Sequence, residues 1–340
     1  MSVTRRLVAT GLAAAPVVLK FSRARAAATT LTISHQFPGG TIEQGDFRDR
    51  LCRIFAKKVE EATKGEIKFE IYANSSLMKT IAQFSALRKG ALDMSFYPLA
   101  YAGGEIHETN IGLMPCLVTN YEQGIRWRDA DVGKLLAKIL EAKGVKFISW
   151  VWQSGGIASR KTSLRVPDDL KGIKIRGGSP EMDRMLAACG GIVSTMPSNE
   201  MYIGMQTGSL DAAVSSSTSL ISFRLEELSK ALTTGRAGSF WFMLEPLLMS
   251  KEIFESLKSE QQKAILDVGR EMEVWGIKEA RKDDEEAANV YAAKGAQIVD
   301  LTADDLSKWR KVSEENVWKD YAAKTSTAAE LLKLARRLAL

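Results

Sequence analysis

The sequence predicts an α/β protein of two similar lobes, each a doubly wound mixed sheet, with a long helix bridging them. Three observations carry that reading. Elements alternate β-α-β-α-β from the start of the chain's body. One amphipathic unit recurs: Phe84-x-x-Leu87-x-x-Gly90-x-Leu92-Asp93 matches Tyr202-x-x-Met205-x-x-Gly208-x-Leu210-Asp211, 118 residues further on (202 against 84). A helical run from Ser259 to Lys294, stopped by Gly295, spans roughly 50 Å, more than the width of either lobe.

The elements follow in order. Leu31–Ser34 reads as a strand, and Pro38-Gly39-Gly40 as a turn. Phe47, Leu51, Ile54, Phe55 and Val59 form one apolar stripe on a helix that Gly65 ends. Ile67–Ile71 alternates apolar and charged residues as a strand does. The recurring unit then supplies a helix through Ile81–Arg88, a glycine at its C-terminal turn and a buried strand, Leu92–Phe96. Lys146–Trp152, rich in β-branched and aromatic residues, reads as one strand near the passage to the second lobe. Pro167–Gly172 is a turn of helix leading into Ile173-Lys174-Ile175, which Arg176 closes before Gly177-Gly178. Ser259-x-x-Gln262 has capping-box form at the start of the long helix, in which Gly269 and Gly276 are weak points. Gln297–Leu301 is a strand and Thr302-x-x-Asp305 caps a further helix. The last helix, Thr325–Leu340, carries Leu331, Leu332, Leu334 and Leu338, a stripe that docks either on the body or on a second subunit. The expected division is 27–152 with 240–280 for the first lobe, 153–239 with 281–320 for the second, and 321–340 as a C-terminal helix.

Charge narrows the function. The 340 residues carry 47 Lys and Arg against 41 Asp and Glu, a formal +6. Five of those basic residues (Arg5, Arg6, Lys20, Arg23, Arg25) lie in residues 1–26 with no acid, leaving 42 against 41. The remainder is almost neutral, so no broad basic face for nucleic acid is expected. The same 26 residues have a basic start, a short apolar middle and Ala24-x-Ala26, the parts of a cleaved export signal. The Arg5-Arg6 pair reads as a twin-arginine signal, with an ordinary secretory signal as the alternative. Cys52, Cys116 and Cys189 show no CxxC spacing, and their odd number predicts at least one free, buried thiol. Two histidines, no GxSxG, no Walker loop and no GxGxxG after a strand leave no catalytic residue, metal site or cofactor to name.

At Asp169-Leu170-Lys171-Gly172-Ile173-Lys174-Ile175-Arg176 the chain acquires a specific signature. Met196-Pro197-Ser198-Asn199-Glu200-Met201-Tyr202 and Met205-Gln206-Thr207-Gly208-Ser209-Leu210-Asp211 follow it. These motifs resemble the substrate-binding proteins of tripartite ATP-independent periplasmic (TRAP) transporters, the DctP-like family, over essentially the whole body of the chain. The resemblance implies a two-lobed periplasmic binding protein of type II-like form. It closes on a small organic acid and delivers it to membrane transporter subunits, generally as a monomer. It also implies that Arg176 clamps the ligand carboxylate. The chemistry agrees, because a guanidinium fork matches a carboxylate with two parallel hydrogen bonds. Ser215 stands where many members carry a second, asparagine contact, and serine has less reach. Gly156 stands, without gaps, where some sialic-acid-type members carry another arginine, which weakens a sugar-acid assignment. Arg160, four residues later, either reaches the cleft or pairs on the surface.

Aromatic residues at the expected crossings are either core or cleft walls: Phe37 after the first strand, Tyr97 after the first Leu-Asp strand, Trp152 at the first crossing, and Phe240 and Trp241 at the return. Cleft walls of this kind would suit a partly apolar acid. A receptor serving a sensor, and an exported cofactor-free hydrolase, are the competing functions.

Overall fold

A computed structural model describes residues 28–338. The expected export signal, residues 1–26, lies outside them. The strands are β1 (Thr29–Ser34), β2 (Ile67–Tyr72), β3 (Met94–Phe96), β4 (Val145–Ser149), β5 (Trp152–Ser159), β6 (Lys174–Arg176), β7 (Ile192–Val193), β8 (Ala212–Ser216), β9 (Ala231–Thr234), β10 (Phe242–Leu244), β11 (Leu247–Ser250) and β12 (Gln297–Asp300). They form two mixed sheets. The first has the order β2-β1-β3-β11-β4, with β11 antiparallel to both neighbours. The second has the order β12-β9-β5-β8-β6-β7, with β10 pairing antiparallel to β5.

The two sheets share one winding. In the first, β1 lies between β2 and β3, parallel to each. In the second, β6 lies between β7 and β8, again parallel to each. The repeated sequence unit supplies the same piece twice. The helices Thr80–Arg88 and Met201–Thr207 end at Gly90 (φ 66°) and Gly208 (φ 78°), positions where a Cβ would be strained. Each unit's aspartate then ties its strand to the neighbour. Asp93 accepts from the Thr32 backbone N–H at 2.7 Å, and Asp211 from that of Lys174 at 3.2 Å.

The passages between sheets depart from expectation. Lys146–Trp152 is two strands, not one: β4 ends at Ser149 in the first sheet and β5 starts at Trp152 in the second. Residue type marks both as strand, but nothing in composition marks the bend at Trp150–Val151. On the return, Phe242–Leu244 still pairs in the second sheet, and the chain re-enters the first through Glu245–Pro246, later than residue 240.

The long helix, Ser259–Ala293, packs across β4 of the first sheet and β5, β9 and β12 of the second, so it spans both lobes. Its cap differs by one position from the expected box: Gln261, not Gln262, accepts from the Lys258 backbone N–H, at 3.1 Å. Gly269 and Gly276 have a packing role. A Cβ on Gly269 would lie 2.2 Å from the Ile148 carbonyl oxygen, and one on Gly276 would meet Leu51 at 3.0 Å and Val151 at 3.1 Å. Helix propensity alone favours alanine by about 1 kcal/mol. The backbone clash reverses the sign, so Gly269→Ala is expected to destabilise by about 1–3 kcal/mol. Thermal denaturation checks this, and a variant melting above wild type would refute the close-approach account.

The leucine stripe of Ser326–Leu338 docks on the body. Leu331 is fully buried, and the helix packs on Asp131–Ala142 and His107–Leu113. Cys52, Cys116 and Cys189 are all free and buried. Among the described residues no helix is long and apolar enough to cross a membrane.

Candidate functional site: a cleft between two switch points

In a doubly wound sheet the neighbouring loops part at the carboxyl ends of the strands, where the order reverses. Here that happens twice, at β1/β3 and at β6/β8. The residues leaving those strands are Ser34–Phe37 and Tyr97 from the first lobe, and Arg176–Gly178 and Ser215–Ser217 from the second. Contacts between the lobes bring the two switch points face to face.

Arg176 is buried, with 1% of its surface exposed. Its Nε donates to the Met196 carbonyl at 3.0 Å, Nη1 to the Val214 carbonyl at 2.8 Å, and Nη2 to the Tyr101 hydroxyl at 2.6 Å. Its guanidinium pairs with no carboxylate among the described residues. Asp183, which feels its charge, accepts instead from the Thr195 hydroxyl at 2.6 Å. Burial raises the Asp183 carboxyl above its ordinary value. An arginine has five N–H donors. Three are spent on neutral oxygens and two remain, so the site holds a cation with no direct ion pair among the described residues and with spare donors. Gly178 makes room for it: a Cβ there (φ 94°) would lie 2.6 Å from Nη1.

The surrounding residues sort by contact. Trp241 belongs here, its indole N–H donating to the Gly177 carbonyl at 3.3 Å. Ser215 is buried at the end of β8, opposite Gly156. Tyr97 is buried, stacked on Phe84 and edge-on to Tyr101, with an unpartnered hydroxyl whose pKa burial raises. Phe37 carries the Arg48 guanidinium 3.7 Å above its ring. Buried polar atoms without partners gather at these strand ends: Ser34 Oγ, Gln36 Nε2 and Tyr97 OH, with Gln153 Oε1 and Glu245 Oε1 beside the passages. Native interiors leave few such atoms unpaired, and a polar ligand is one way to satisfy them.

Three expected cleft residues lie elsewhere. Arg160 follows β5, which runs antiparallel to β8, so it stands about 13 Å along the strand from Gly156 and at the opposite end of the sheet. There its backbone N–H donates to the Asp211 carbonyl at 2.9 Å, and its Nη1 lies near Gly208. An arginine at Gly156 itself is barred, since a Cβ would meet the Thr233 carbonyl oxygen at 1.9 Å. Phe240 stacks on Trp309 at 4.5 Å and is core. Trp152 packs edge-on to Trp127 at 5.0 Å and lines a separate cavity of ≈ 150 Å³ with Trp150, Ile125 and Val274.

Sequence reasoning missed two residues. Tyr101 lies in the short turn of helix Leu99–Gly104, which carries no pattern. Arg48 is fully buried at the start of the helix Phe47–Ala62. It forks onto Asp46 (Nε–Oδ1 2.8 Å, Nη2–Oδ2 2.6 Å) and reaches Glu245 at 3.3 Å. It also crosses to the second lobe, donating to Ser219 Oγ at 2.9 Å and Ser216 Oγ at 3.3 Å. Burial pushes Glu245 up to about 7, although Arg48 and a hydrogen bond from Gln153 pull the other way. Its signal was available: Arg48 shares one helical face with Cys52, Phe55 and Val59 (i, i+4, i+7, i+11), an arginine in an apolar row.

Comparison with known proteins shows the family. Residues 46–325 match the DctP family model, bacterial extracellular solute-binding protein family 7. A solute-binding protein of Albidiferax ferrireducens is 55% identical over 96% of both chains. The C4-dicarboxylate-binding periplasmic protein DctP of Rhodobacter capsulatus is 26% identical over 76% of this chain and 78% of its own. The crystal structure of a TRAP periplasmic solute-binding protein from Rhodoferax ferrireducens, solved with bound malonate, is 56% identical. It superposes with a TM-score of 0.90 over 91% of this chain and 98% of that one. The chain therefore belongs to family 7 of the bacterial extracellular solute-binding proteins, the DctP-type periplasmic receptors of TRAP transport.

Proposed function

We propose that this receptor captures a small organic acid by clamping its carboxylate on Arg176, closing its lobes around it and handing it to the membrane subunits of its transporter. The observation that carries the reading is a buried arginine with no direct ion pair among the described residues, two spare donors and unpartnered polar atoms on the facing lobe. Malonate in the 56% identical relative is a ligand of the matching chemistry. Ser215 supplies a short second contact in place of an asparagine, and Trp241 and Tyr97 wall the pocket. Capture needs a charge, a shape and a hinge, and no catalytic acid or base. The lobes divide near residues 152 and 245, the leader 1–26 directs export by the twin-arginine route, and the receptor works as a monomer.

A thermal-shift screen with malonate, succinate, lactate, pyruvate and galacturonate tests the reading. An acid present at one hundred times its Kd stabilises by about 2.7 kcal/mol, which raises the melting temperature by roughly 5 °C or more. Absence of a shift with every acid would remove the carboxylate receptor as the function.

A further inference from the structure

We propose that the Tyr101 hydroxyl is a ligand contact, donating to the same carboxylate that Arg176 clamps. The inference rests on the receptor reading above. Tyr101 comes from the first lobe, in the Leu99–Gly104 turn that follows β3. Its partners come from the second. Arg176 Nη2 donates to its oxygen at 2.6 Å and the Ser198 backbone N–H at 3.1 Å. A phenol oxygen that accepts two bonds still has its own proton to give. Among the described residues that proton has no acceptor. Ring packing against Tyr97 at 6.2 Å, nearly perpendicular, holds the Tyr101 side chain in place.

The uncommitted O–H therefore stands next to the uncommitted N–H groups of Arg176. One bonded pair of side chains thus keeps three donors without an acceptor among the described residues: two on Arg176 and one on Tyr101. A carboxylate has two oxygens with about four lone-pair sites, so it can satisfy all three. An ester or primary amide of the same acid has no charge to offer, and an amide adds donors where the site already has donors. The class selected is a free carboxylate. Since two of those donors belong to one lobe and the third to the other, a seated carboxylate adds to the bonds by which Arg176 and Ser198 already hold Tyr101 across the lobes.

The test uses full-length mature receptor and whichever of malonate, succinate, lactate, pyruvate and galacturonate shifts wild-type melting most. Titration calorimetry on Tyr101→Phe is expected to show affinity reduced about ten-fold or more, the loss of one hydrogen bond to a charged group. A second protein carries 3-fluorotyrosine at position 101, whose hydroxyl is a better donor and a poorer acceptor. If Tyr101 donates to the ligand, that protein binds as tightly as wild type or more tightly. Unchanged affinity in Tyr101→Phe overturns the inference while leaving Arg176 and the receptor reading intact. Equal weakening in both proteins also overturns it, because Tyr101 would then serve only to accept from Arg176. If no acid binds wild type, the receptor reading falls and this inference with it.

Discussion

Arg176→Ala is expected to bind organic acids at least ~30-fold more weakly than wild type, a cost of ~2 kcal/mol or more. The buried carboxylate would lose its only cation and two of its donors, while the surrounding lobe still denies it water. The effect should fall on binding and spare folding. The Arg176 charge is buried against three neutral oxygens with no direct ion pair among the described residues, so its removal relieves a burial cost as well as deleting hydrogen bonds. The free variant should therefore melt close to wild type, and its ligand-induced rise in melting temperature should disappear. Arg176→Lys keeps the charge but replaces a fixed planar fork with one flexible ammonium, so an intermediate affinity is expected. Calorimetry with the best acid from the screen decides between these outcomes. Wild-type affinity in Arg176→Ala would take Arg176 out of the site.

How far this site could be read beforehand depends on what kind of information placed each residue. Arg176 was singled out by the family motif that carries it, and its burial at a strand end beside Gly178, where a Cβ would meet the guanidinium, is what the structure adds. The two-lobed winding was legible because one unit occurs twice, down to the aspartate that ties its strand to a neighbour. The sequence leaves Arg160 undecided between cleft and surface because its position depends on strand direction. β5 pairs antiparallel to β8, which nothing in Trp152–Ser159 announces, and four residues along it lead away from the cleft. Phe240 and Trp241 show the same limit on a finer scale. Both lie in the irregular stretch just before β10, where no period says which way a side chain faces, and only their contacts, Trp309 for Phe240 and the Gly177 carbonyl for Trp241, tell them apart. Tyr101 depends on the approach of one lobe to the other, for which one chain segment holds no signal.

Arg48→Ala is expected to be the most destabilising single change considered, by about 3–5 kcal/mol, because it strands two buried carboxylates at once. Asp46 loses a two-pronged partner and Glu245 loses its cation, both in surroundings closed to water. The bonds to Ser216 and Ser219 are lost too, and with them a direct tie between the lobes. The loss should depend on pH with a definite sign. Burial already raises Glu245 from 4.5 to about 7 in the folded protein, so between those values the folded state holds a proton that the unfolded chain has released. Stability from this group is therefore fully present below about pH 4.5 and declines as pH rises towards 7. Without Arg48 the folded-state value moves higher still, the window extends upward, and the gap between variant and wild type widens. Thermal melts at pH 5 and pH 8 should show the smaller deficit at pH 5, where Glu245 takes up a proton instead of standing as an unpaired charge. Adding Glu245→Gln to Arg48→Ala should recover part of the deficit at pH 8 and little of it at pH 5. A deficit equal at both pH values would mean that Arg48 stabilises chiefly through its packing on Phe37 and its hydroxyl contacts, and the charge account would have to be given up.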